Sequence, residues 1–202
     1  MKIIDISREI LSSEVYPGDP RPKLETIKNL ELGDSYTFSA IHMGLHCGTH
    51  IDAPLHFWAD GCDITGLPAD AFLGPCTVIE VNEEMITGAY VERYFPTKAK
   101  RIIIKSNGKA ILHESAATAL AYMGYILIGT DNITIEDEES DGRSHRALLA
   151  ENIAILEGLS LEGVKQGEYF LLAAPLKIAG AEAAPCRAFL IDDHIFWSGA
   201  KK

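Results

Sequence analysis

The feature that most constrains the fold is a strand–helix–strand pattern in residues 101–129. Residues 101–105 form an apolar run around three isoleucines, and residues 125–129 form a second apolar run. Between them, residues 113–123 are rich in alanine, a strong helix former, and end at Gly124, a typical residue after a helix. Two strands joined through a helix lie parallel with a right-handed crossover. The sequence therefore predicts an α/β fold with central strands buried on both faces.

The other apolar segments predict one mixed domain. A chain of 202 residues has the size of a single domain, and no repeat, linker or low-complexity stretch divides it. Outside the central unit, the patterns predict strands at residues 1–10, 36–43, 76–81, 153–158, 169–174 and 189–191, and short helices at 67–75, at 88–94 and from 145 onwards. We expect a single domain over residues 1–202, with seven to nine strands and more strand than helix.

Composition excludes several classes of partner. The 29 acidic residues outnumber the 18 basic ones, and the formal net charge of −11 disfavours binding to a phosphate backbone. No apolar run approaches the roughly 18 residues of a membrane helix, and residues 1–8 lack the apolar core of a signal peptide. The four cysteines show no CxxC spacing, so we expect reduced thiols. These features predict a cytoplasmic protein that binds neither nucleic acid nor a membrane.

Residues 46–56, with the sequence HCGTHIDAPLH, are rich in groups that bind metals. His46, His50, Asp52 and His56 all occupy even positions, and side chains along an extended strand alternate between its two faces. One continuous strand would therefore project all four groups to the same side. A glycine, β-branched residues and a proline within the segment disfavour a helix. Imidazoles and a carboxylate on one face suggest a metal site, and the alternative is a set of hydrogen-bonded core histidines.

Weaker signals lie in the second half of the chain. Ser144 can cap a helix that begins at His145, and Glu157 ends a strand twelve residues later. One continuous helix would separate the latter two groups by ~18 Å, whereas a helix break and a returning strand would bring them together. Asp131 follows a strand end, where functional groups are common. Residues 136–142 form an acidic run that we interpret as a solvated loop, with cation binding as the alternative.

The motif H-x-G-T-H-x-D-A-P-x-H-F at residues 46–57 resembles the signature of the cyclase superfamily, the group that contains bacterial kynurenine formamidase. Further matches extend over nearly the whole chain: YPGD at 16–19, GTD at 129–131, SH at 144–145, EGL at 157–159 and PLKIxG at 175–180. The resemblance implies a single mixed-sheet or barrel-like β/β/α domain of the swivelling type. It also implies a homo-oligomer, either a dimer or a tetramer.

The same resemblance implies a centre of one or two divalent metals, usually zinc. Carried over residue by residue, His46, His50 and Asp52 bind the first metal. Asp52 and Glu157 bridge to the second metal, which His145 also binds. Carboxylate bridging would also tolerate manganese, so the resemblance does not fix the metal.

The implied activity is hydrolysis of a small amide, in which a metal-activated water attacks the carbonyl and His56 is the general acid/base. Tyr16 stands where the formamidase has a substrate-contacting tryptophan. The turn at residues 106–112 is shorter than in formamidases, and residues 180–185 also depart from the family pattern. Because these departures concern the substrate pocket, an arylformamide such as N-formylkynurenine is one candidate among the small amides.

Two other functions fit parts of the pattern. A cupin-like oxygenase or isomerase would hold Fe²⁺ with His46, His50 and one acidic residue. A catalytically silent protein would bind a metal or ligand without turnover. Metal coordination by Glu157 next to a second metal would exclude the first alternative. Loss of activity with metal retained when His56 is replaced would exclude the second.

Overall fold

The computed structural model describes residues 1–192. Within this range it contains three α-helices, α1 (Gly88–Tyr94), α2 (Glu114–Tyr122) and α3 (Arg143–Ala150). The β-strands are β1 (Lys2–Asp5), β2 (Lys23–Lys28), β3 (Phe38–His42), β4 (His50–Asp52), β5 (Leu73–Glu80), β6 (Met85–Ile86), β7 (Arg101–Lys105), β8 (Ile111–Leu112), β9 (Leu127–Thr130), β10 (Ala154–Glu157), β11 (Gly167–Leu172), β12 (Ala183–Pro185) and β13 (Phe189–Asp192). Short 3₁₀ helices cover Leu30–Leu32, Pro54–His56, Ala69–Ala71 and Glu138–Ser140.

Nine strands of the described chain form one sheet, in the order β1-β13-β11-β5-β7-β9-β10-β4-β12. The four central strands β5, β7, β9 and β10 run parallel, and the strands on either side pair antiparallel. The pairing of β7 with β9 confirms the parallel unit predicted from the sequence. The sheet curls into a half-barrel with the helices packed on it, so the mixed α/β prediction is confirmed as well.

Alternation along the central strands divides the core between the two faces of the sheet. One core contains Ile102 and Ile104 of β7 together with Leu120 of α2 and Leu148 of α3. Ile103, which lies between those two isoleucines, belongs to the second core on the opposite face. Because both faces are covered, β7 carries three consecutive isoleucines between Arg101 and Lys105, and β9 and β10 also begin with apolar residues, which explains their continuous apolar runs.

A separate two-stranded arm consists of β2 and β3, which pair antiparallel with Leu24 opposite Ile41. Both of these side chains are exposed, as are Ile27, Tyr36 and Phe38. The sequence predicted the second strand of the arm but not the first, because β2 has the sequence KLETIK, in which two adjacent polar residues interrupt the alternation of apolar and polar positions.

The prediction of one continuous strand over residues 46–56 is wrong. The strand β4 contains only His50, Ile51 and Asp52. The chain turns before them at Gly48, whose φ of 67° lies in the left-handed region that favours glycine. After them, Pro54 begins a 3₁₀ helix, because its fixed φ suits a first helical position. The three histidines and Asp52 therefore project from a turn, a strand and a 3₁₀ helix.

Two predicted helix boundaries are also wrong. In place of a helix over residues 67–75, a 3₁₀ turn at Ala69–Ala71 leads into β5, which pairs with β11 from Leu73 onwards. The third helix begins at Arg143 after Gly142, and Ser144 does not cap it. The Ser144 hydroxyl instead donates a hydrogen bond to the carbonyl of Leu112. No helix within residues 1–192 is long and apolar enough to cross a membrane.

Candidate metal centre

The centre is built on the antiparallel pairing of β4 with β10. The register places His50 directly opposite Glu157, and residues directly opposite each other point to the same face of a sheet. His50 Nε2 lies 3.4 Å from Glu157 Oε2 and 3.4 Å from Asp52 Oδ1. All three side chains are buried, with at most 3% exposure. A short strand thus brings together groups that lie about a hundred residues apart in the sequence.

His46 reaches the same centre from the turn before β4. Its Nδ1 lies 2.9 Å from Asp52 Oδ1, while its Nε2 lies 3.4 Å from Glu182 Oε1. The positive φ of Gly48 allows this turn and directs His46 back toward the strand. Glu182, which precedes β12, was missed from the sequence because no metal-binding residue type surrounds it.

His145 approaches from the first turn of α3. Its Nε2 lies 3.3 Å from Glu157 Oε1 and 3.8 Å from Asp52 Oδ2. Glu157 Oε1 also accepts a hydrogen bond of 2.7 Å from the backbone N–H of Ile135, which fixes the carboxylate. The structure therefore brings His145 and Glu157 together across a helix break and a returning strand, as the sequence permitted.

Hydrogen bonds orient two of the imidazoles through their Nδ1 atoms. His50 Nδ1 lies 3.0 Å from the carbonyl oxygen of Gly48, to which an Nδ1–H donates. His145 Nδ1 contacts the carboxylate of Glu136. In both rings, Nε2 then faces Asp52 and Glu157. Metal-binding histidines usually donate their second ring N–H to such a carbonyl or carboxylate.

Several buried polar atoms of these residues have no hydrogen bond, as expected where a metal binds. Among the described residues, His50 Nε2, Asp52 Oδ1 and Asp52 Oδ2 are buried without a hydrogen-bond partner. Such atoms are costly unless something satisfies them. Ligand atoms of His50, Asp52 and Glu157 lie within 4.8 Å of one another, as do those of His46, Asp52 and His56. The mixed nitrogen and carboxylate donors suit zinc and also manganese, so the residues fit a divalent metal.

The electrostatics of the centre favour a cation. Burial disfavours the charged imidazoles, but the charge of Asp52 together with the hydrogen bond and charge of Glu157 outweighs it and raises the pKa of His50 to about 9. For His145, burial is likewise outweighed by hydrogen bonds to Glu136 and Glu157, which raise its pKa to about 10. Burial would raise the pKa of Asp52, yet the neighbouring histidines lower it. Protons and a divalent ion therefore compete for the same negative charge.

His56 differs from the other histidines. Burial and the charges of His46 and His145 lower its pKa to about 4, although Asp52 acts in the opposite sense. Its half-buried ring lies 4.2 Å from the ring of His46 and 5.9 Å from that of His145. The imidazole is thus neutral near pH 7 and faces the other groups of the centre.

A cavity of about 380 Å³ opens onto these residues. Its wall includes Tyr16 together with His46, His56, His145 and Glu157. The cavity therefore gives a small molecule access to the centre, and it brings Tyr16 from residues 16–19 to the same place.

The cavity wall also contains residues that sequence reasoning missed. The Phe57 ring stacks on His145 at 5.0 Å, and the guanidinium of Arg146 lies 5.0 Å from the Phe57 ring centre. Phe57 was quoted only as the end of the motif, and its side chain gave no separate signal.

Two other expectations about this region need correction. Asp131 accepts hydrogen bonds from the backbone N–H groups of Ser106, Asn107 and Gly108, so it stabilises a turn away from the centre. The acidic run is exposed at residues 137–139, but Glu136 is only 4% exposed. The interpretation as a solvated loop is therefore wrong for Glu136.

Known proteins resemble the chain over nearly its full length. The model of the Cyclase family matches residues 4–137. Kynurenine formamidase of Salinibacter ruber (strain DSM 13855 / M31) is 35% identical over 208 residues, covering 95% of this chain and 98% of that protein.

Solved structures agree with this similarity. One, described as a potential metal-dependent hydrolase with cyclase activity, has a TM-score of 0.82 and 32% identity, covering 94% of this chain and 96% of its own. An isatin hydrolase bound to the product analogue thioisatinate has a TM-score of 0.79 over 95% of this chain and 93% of its own. Because its identity is 18%, it shows a likeness of fold alone. The chain belongs to the cyclase family.

Proposed function

We propose that the protein is a metal-dependent hydrolase that cleaves the C–N bond of a small amide. The observation that carries the proposal is the buried cluster at β4, in which His50 Nε2 and both oxygens of Asp52 make no well-formed hydrogen bond and face other proposed ligands within 4 Å. A buried group of this kind is unfavourable on its own, whereas a divalent cation would satisfy all three atoms. The family relationship supports the same reading.

We assign five side chains as ligands of one or two divalent ions, with zinc as the first choice and manganese as the second: His46, His50, Asp52, His145 and Glu157. Asp52 is central to this assignment, because its two oxygens face His50 and His46 on one side and His145 on the other. When bound, the metal supplies a hydroxide nucleophile at neutral pH and polarises the amide carbonyl.

His56 is assigned as the general acid/base. It is half-buried on the cavity wall, close to the proposed ligands. From there its neutral ring accepts a proton from the attacking water and delivers it to the leaving nitrogen. His56 also forms a cluster with His46 and Asp52 that could hold a metal, and this competing role is separated by measuring the metal content of a variant.

Tyr16 is assigned to substrate binding, since it lines the same cavity as the proposed acid/base. A volume of about 380 Å³ suits a small ligand with one ring rather than a polymer. The curated relative is a kynurenine formamidase, so N-formylkynurenine is the first substrate to test. Replacing Tyr16 with Phe should raise KM more than it lowers kcat, because the residue is placed to bind substrate and not to react.

The direct test is removal and return of the metal. Protein stripped with a chelator should lose N-formylkynurenine hydrolysis and recover it on addition of Zn²⁺ or Mn²⁺, with Mg²⁺ as the control ion. Elemental analysis of the untreated protein should find one or two transition-metal ions per chain. Activity that survives complete removal of metal would refute the mechanism.

We also propose a homo-oligomer in which the arm formed by β2 and β3 contacts a second copy. An isolated two-stranded hairpin is marginally stable, and this one exposes apolar side chains such as Leu24 and Phe38. Next to Ile41 of the arm lies a groove whose walls include Leu172 and Leu176. The arm therefore projects apolar side chains, and the groove beside it is lined by apolar side chains. The arm of each copy could thus pack into the groove of the other. Light scattering should give at least a dimer, and Leu24→Lys should shift it toward monomer.

We place the protein in the cytoplasm, because the thiols of Cys47, Cys62, Cys76 and Cys186 are all unpaired. Unpaired thiols are the usual state in a reducing compartment. Fractionation of the native cells with an antibody to the chain would test this location.

A further inference from the structure

We propose that Glu136 is a positioning residue, which holds the His145 imidazole in the orientation that binds metal. The inference rests on the proposed metal centre and assigns a role to a residue outside the ligand set. Glu136 belongs to the acidic run at residues 136–142, yet it is buried while residues 137–139 are exposed. A buried carboxylate requires specific partners, and those of Glu136 lie at the start of α3.

The Glu136 carboxylate makes three contacts with two consecutive residues. Oε2 accepts a hydrogen bond of 3.0 Å from the backbone N–H of Ser144. Oε1 accepts one of 3.0 Å from the backbone N–H of His145 and also contacts Nδ1 of the same residue. One oxygen therefore binds both the backbone and the ring of His145. This double contact fixes the angle of the ring relative to the helix.

Fixing Nδ1 in this way also fixes the position of Nε2, the other nitrogen of the His145 ring. Because Nδ1 is engaged by Glu136, Nε2 is the ring nitrogen left to bind a metal, and it lies 3.3 Å from Glu157 Oε1. Phe57 stacks on the ring at 5.0 Å and limits rotation in the other direction. Without the carboxylate, the ring could exchange its proton between the two nitrogens and rotate about its Cβ–Cγ bond. Partners of this kind typically contribute 10- to 100-fold to metal affinity.

A simpler role as a helix cap does not account for the ring contact. The residue before α3 is Gly142, which provides no side-chain cap, so the backbone contacts of Glu136 do fill that need. A cap requires only the N–H groups of the first turn. Asp137, the next residue, illustrates a cap alone, because it accepts from Ser140 in an exposed turn and touches no histidine. The contact with Nδ1 is what distinguishes Glu136.

The test compares Glu136→Gln with Ser144→Ala. Glutamine has the same shape but one acceptor oxygen, so it cannot serve Oε1 and Oε2 contacts together. Ser144 lies beside His145 in the first turn of α3. Ser144→Ala removes the buried hydrogen bond from its hydroxyl to the carbonyl of Leu112 and leaves the contacts of the His145 ring unchanged. Both variants weaken the start of α3, but only the first alters the ring. Metal-free proteins are titrated with Zn²⁺ against a coloured chelator, and Co²⁺ spectra report the ligand geometry.

We expect Glu136→Gln to bind the ion held by His145 about 10- to 100-fold more weakly and to change the Co²⁺ spectrum. Ser144→Ala should keep the wild-type affinity and spectrum even if its thermal stability falls. Glu136→Asp keeps the charge but shortens the side chain, so partial recovery of affinity relative to the glutamine variant supports positioning. If the glutamine variant does not fold, selective weakening in Glu136→Asp relative to Ser144→Ala supports the same conclusion.

Two results would overturn the inference. Unchanged Zn²⁺ affinity and Co²⁺ spectrum in a folded Glu136 variant would show that the ring does not depend on the carboxylate. Equal weakening in Ser144→Ala would reduce Glu136 to a helix cap. Wild-type protein that binds neither ion would instead reject the metal centre itself, and the positioning role would fall with it.

Discussion

The two halves of the centre are assembled in different ways. His46, His50 and Asp52 lie within seven residues of each other and come together through one turn and one short strand. His145 and Glu157 come from α3 and from the end of β10. We call the first set the near half and the second set the far half. The near half is formed by one local segment, whereas the far half comes together only after the sheet has formed.

The halves also differ in how their histidines are oriented. A backbone carbonyl two residues away, that of Gly48, faces His50 Nδ1, whereas a side chain nine residues away, Glu136, contacts His145 Nδ1. A backbone partner is present whenever the turn is formed and cannot be removed by substitution. The carboxylate can be removed, so we expect the far half to be the more sensitive of the two to single changes around its ligands.

The largest effect should follow from Asp52→Asn, which removes the group that the two halves share. The side chain is fully buried and its oxygens face histidines from both halves. The amide keeps the shape but loses the charge and one acceptor, so both ions should be lost and activity should become undetectable. Elemental analysis and the amidase assay measure this. Retention of one full metal equivalent would show that the halves bind independently.

His56→Ala should distinguish the proposed proton-transfer group from the metal ligands of the near half. If His56 is the general acid/base, kcat falls by roughly 10²- to 10⁴-fold while the metal content remains that of the wild type. If His56 instead belongs to the cluster with His46 and Asp52, the metal content falls together with activity. Parallel determination of kcat and bound metal separates the two roles. The alanine variant also tests the silent-protein alternative, since an inactive wild type would show no loss.

Sequence reasoning succeeded where a signal was local. The apolar run at residues 101–105, the alanine-rich helix ended by Gly124 and the next apolar run gave the parallel unit, because propensity and periodicity act within a few residues. The even spacing at residues 46–56 pointed to four side chains that do converge, although through a conformation other than the one predicted. A turn, a strand of three residues and a 3₁₀ helix converge on one point just as a continuous strand would have lined one face.

The remainder depends on contacts that the sequence does not encode locally. The register that sets His50 opposite Glu157 joins positions 107 residues apart, and no periodicity specifies it. Glu136 was hidden because its neighbours at residues 137–139 are as acidic as it is, yet exposed. Its burial follows from the position of α3, which becomes defined only when the helix packs on the sheet. The family resemblance implied a metal-binding role for Glu157 but gave no sign of Glu136.

Gly158→Ala should disturb the close contact between Gly48 and Gly158, where the two halves of the centre meet. A Cβ on Gly158, which follows Glu157, would lie 2.2 Å from the carbonyl oxygen of Gly48, and its φ is 67°. The destabilisation should therefore exceed the roughly 1–3 kcal/mol of a strained backbone alone. Gly163→Ala is the matched control, with a φ of 72° and nothing within 4 Å. Urea unfolding of both variants measures the difference, and Zn²⁺ affinity should fall only in Gly158→Ala, because the displaced carbonyl orients His50.

Equal losses of stability in the two glycine variants would show that the close approach of Gly48 and Gly158 relaxes easily. The halves would then be held together by the sheet hydrogen bonds alone, and the metal affinity of both variants should match that of the wild type.

The smallest effect should come from Thr49→Val, which alters the same contact between the Gly48 turn and Gly158. The buried Thr49 hydroxyl donates to the carbonyl of Gly158 at 2.6 Å and accepts from the backbone N–H of Arg8 at 2.9 Å. Valine keeps the shape but leaves both groups unsatisfied, at a cost of about 1–3 kcal/mol in the free energy of unfolding. Thr118→Val, which removes an exposed hydroxyl bond to Glu114 on α2, should change it by no more than about 0.5 kcal/mol. Because the Thr49 hydroxyl bonds only to Arg8 and Gly158 and to no proposed ligand, metal affinity should remain unchanged. A matching loss of affinity would mean that the hydroxyl sets the distance between the halves.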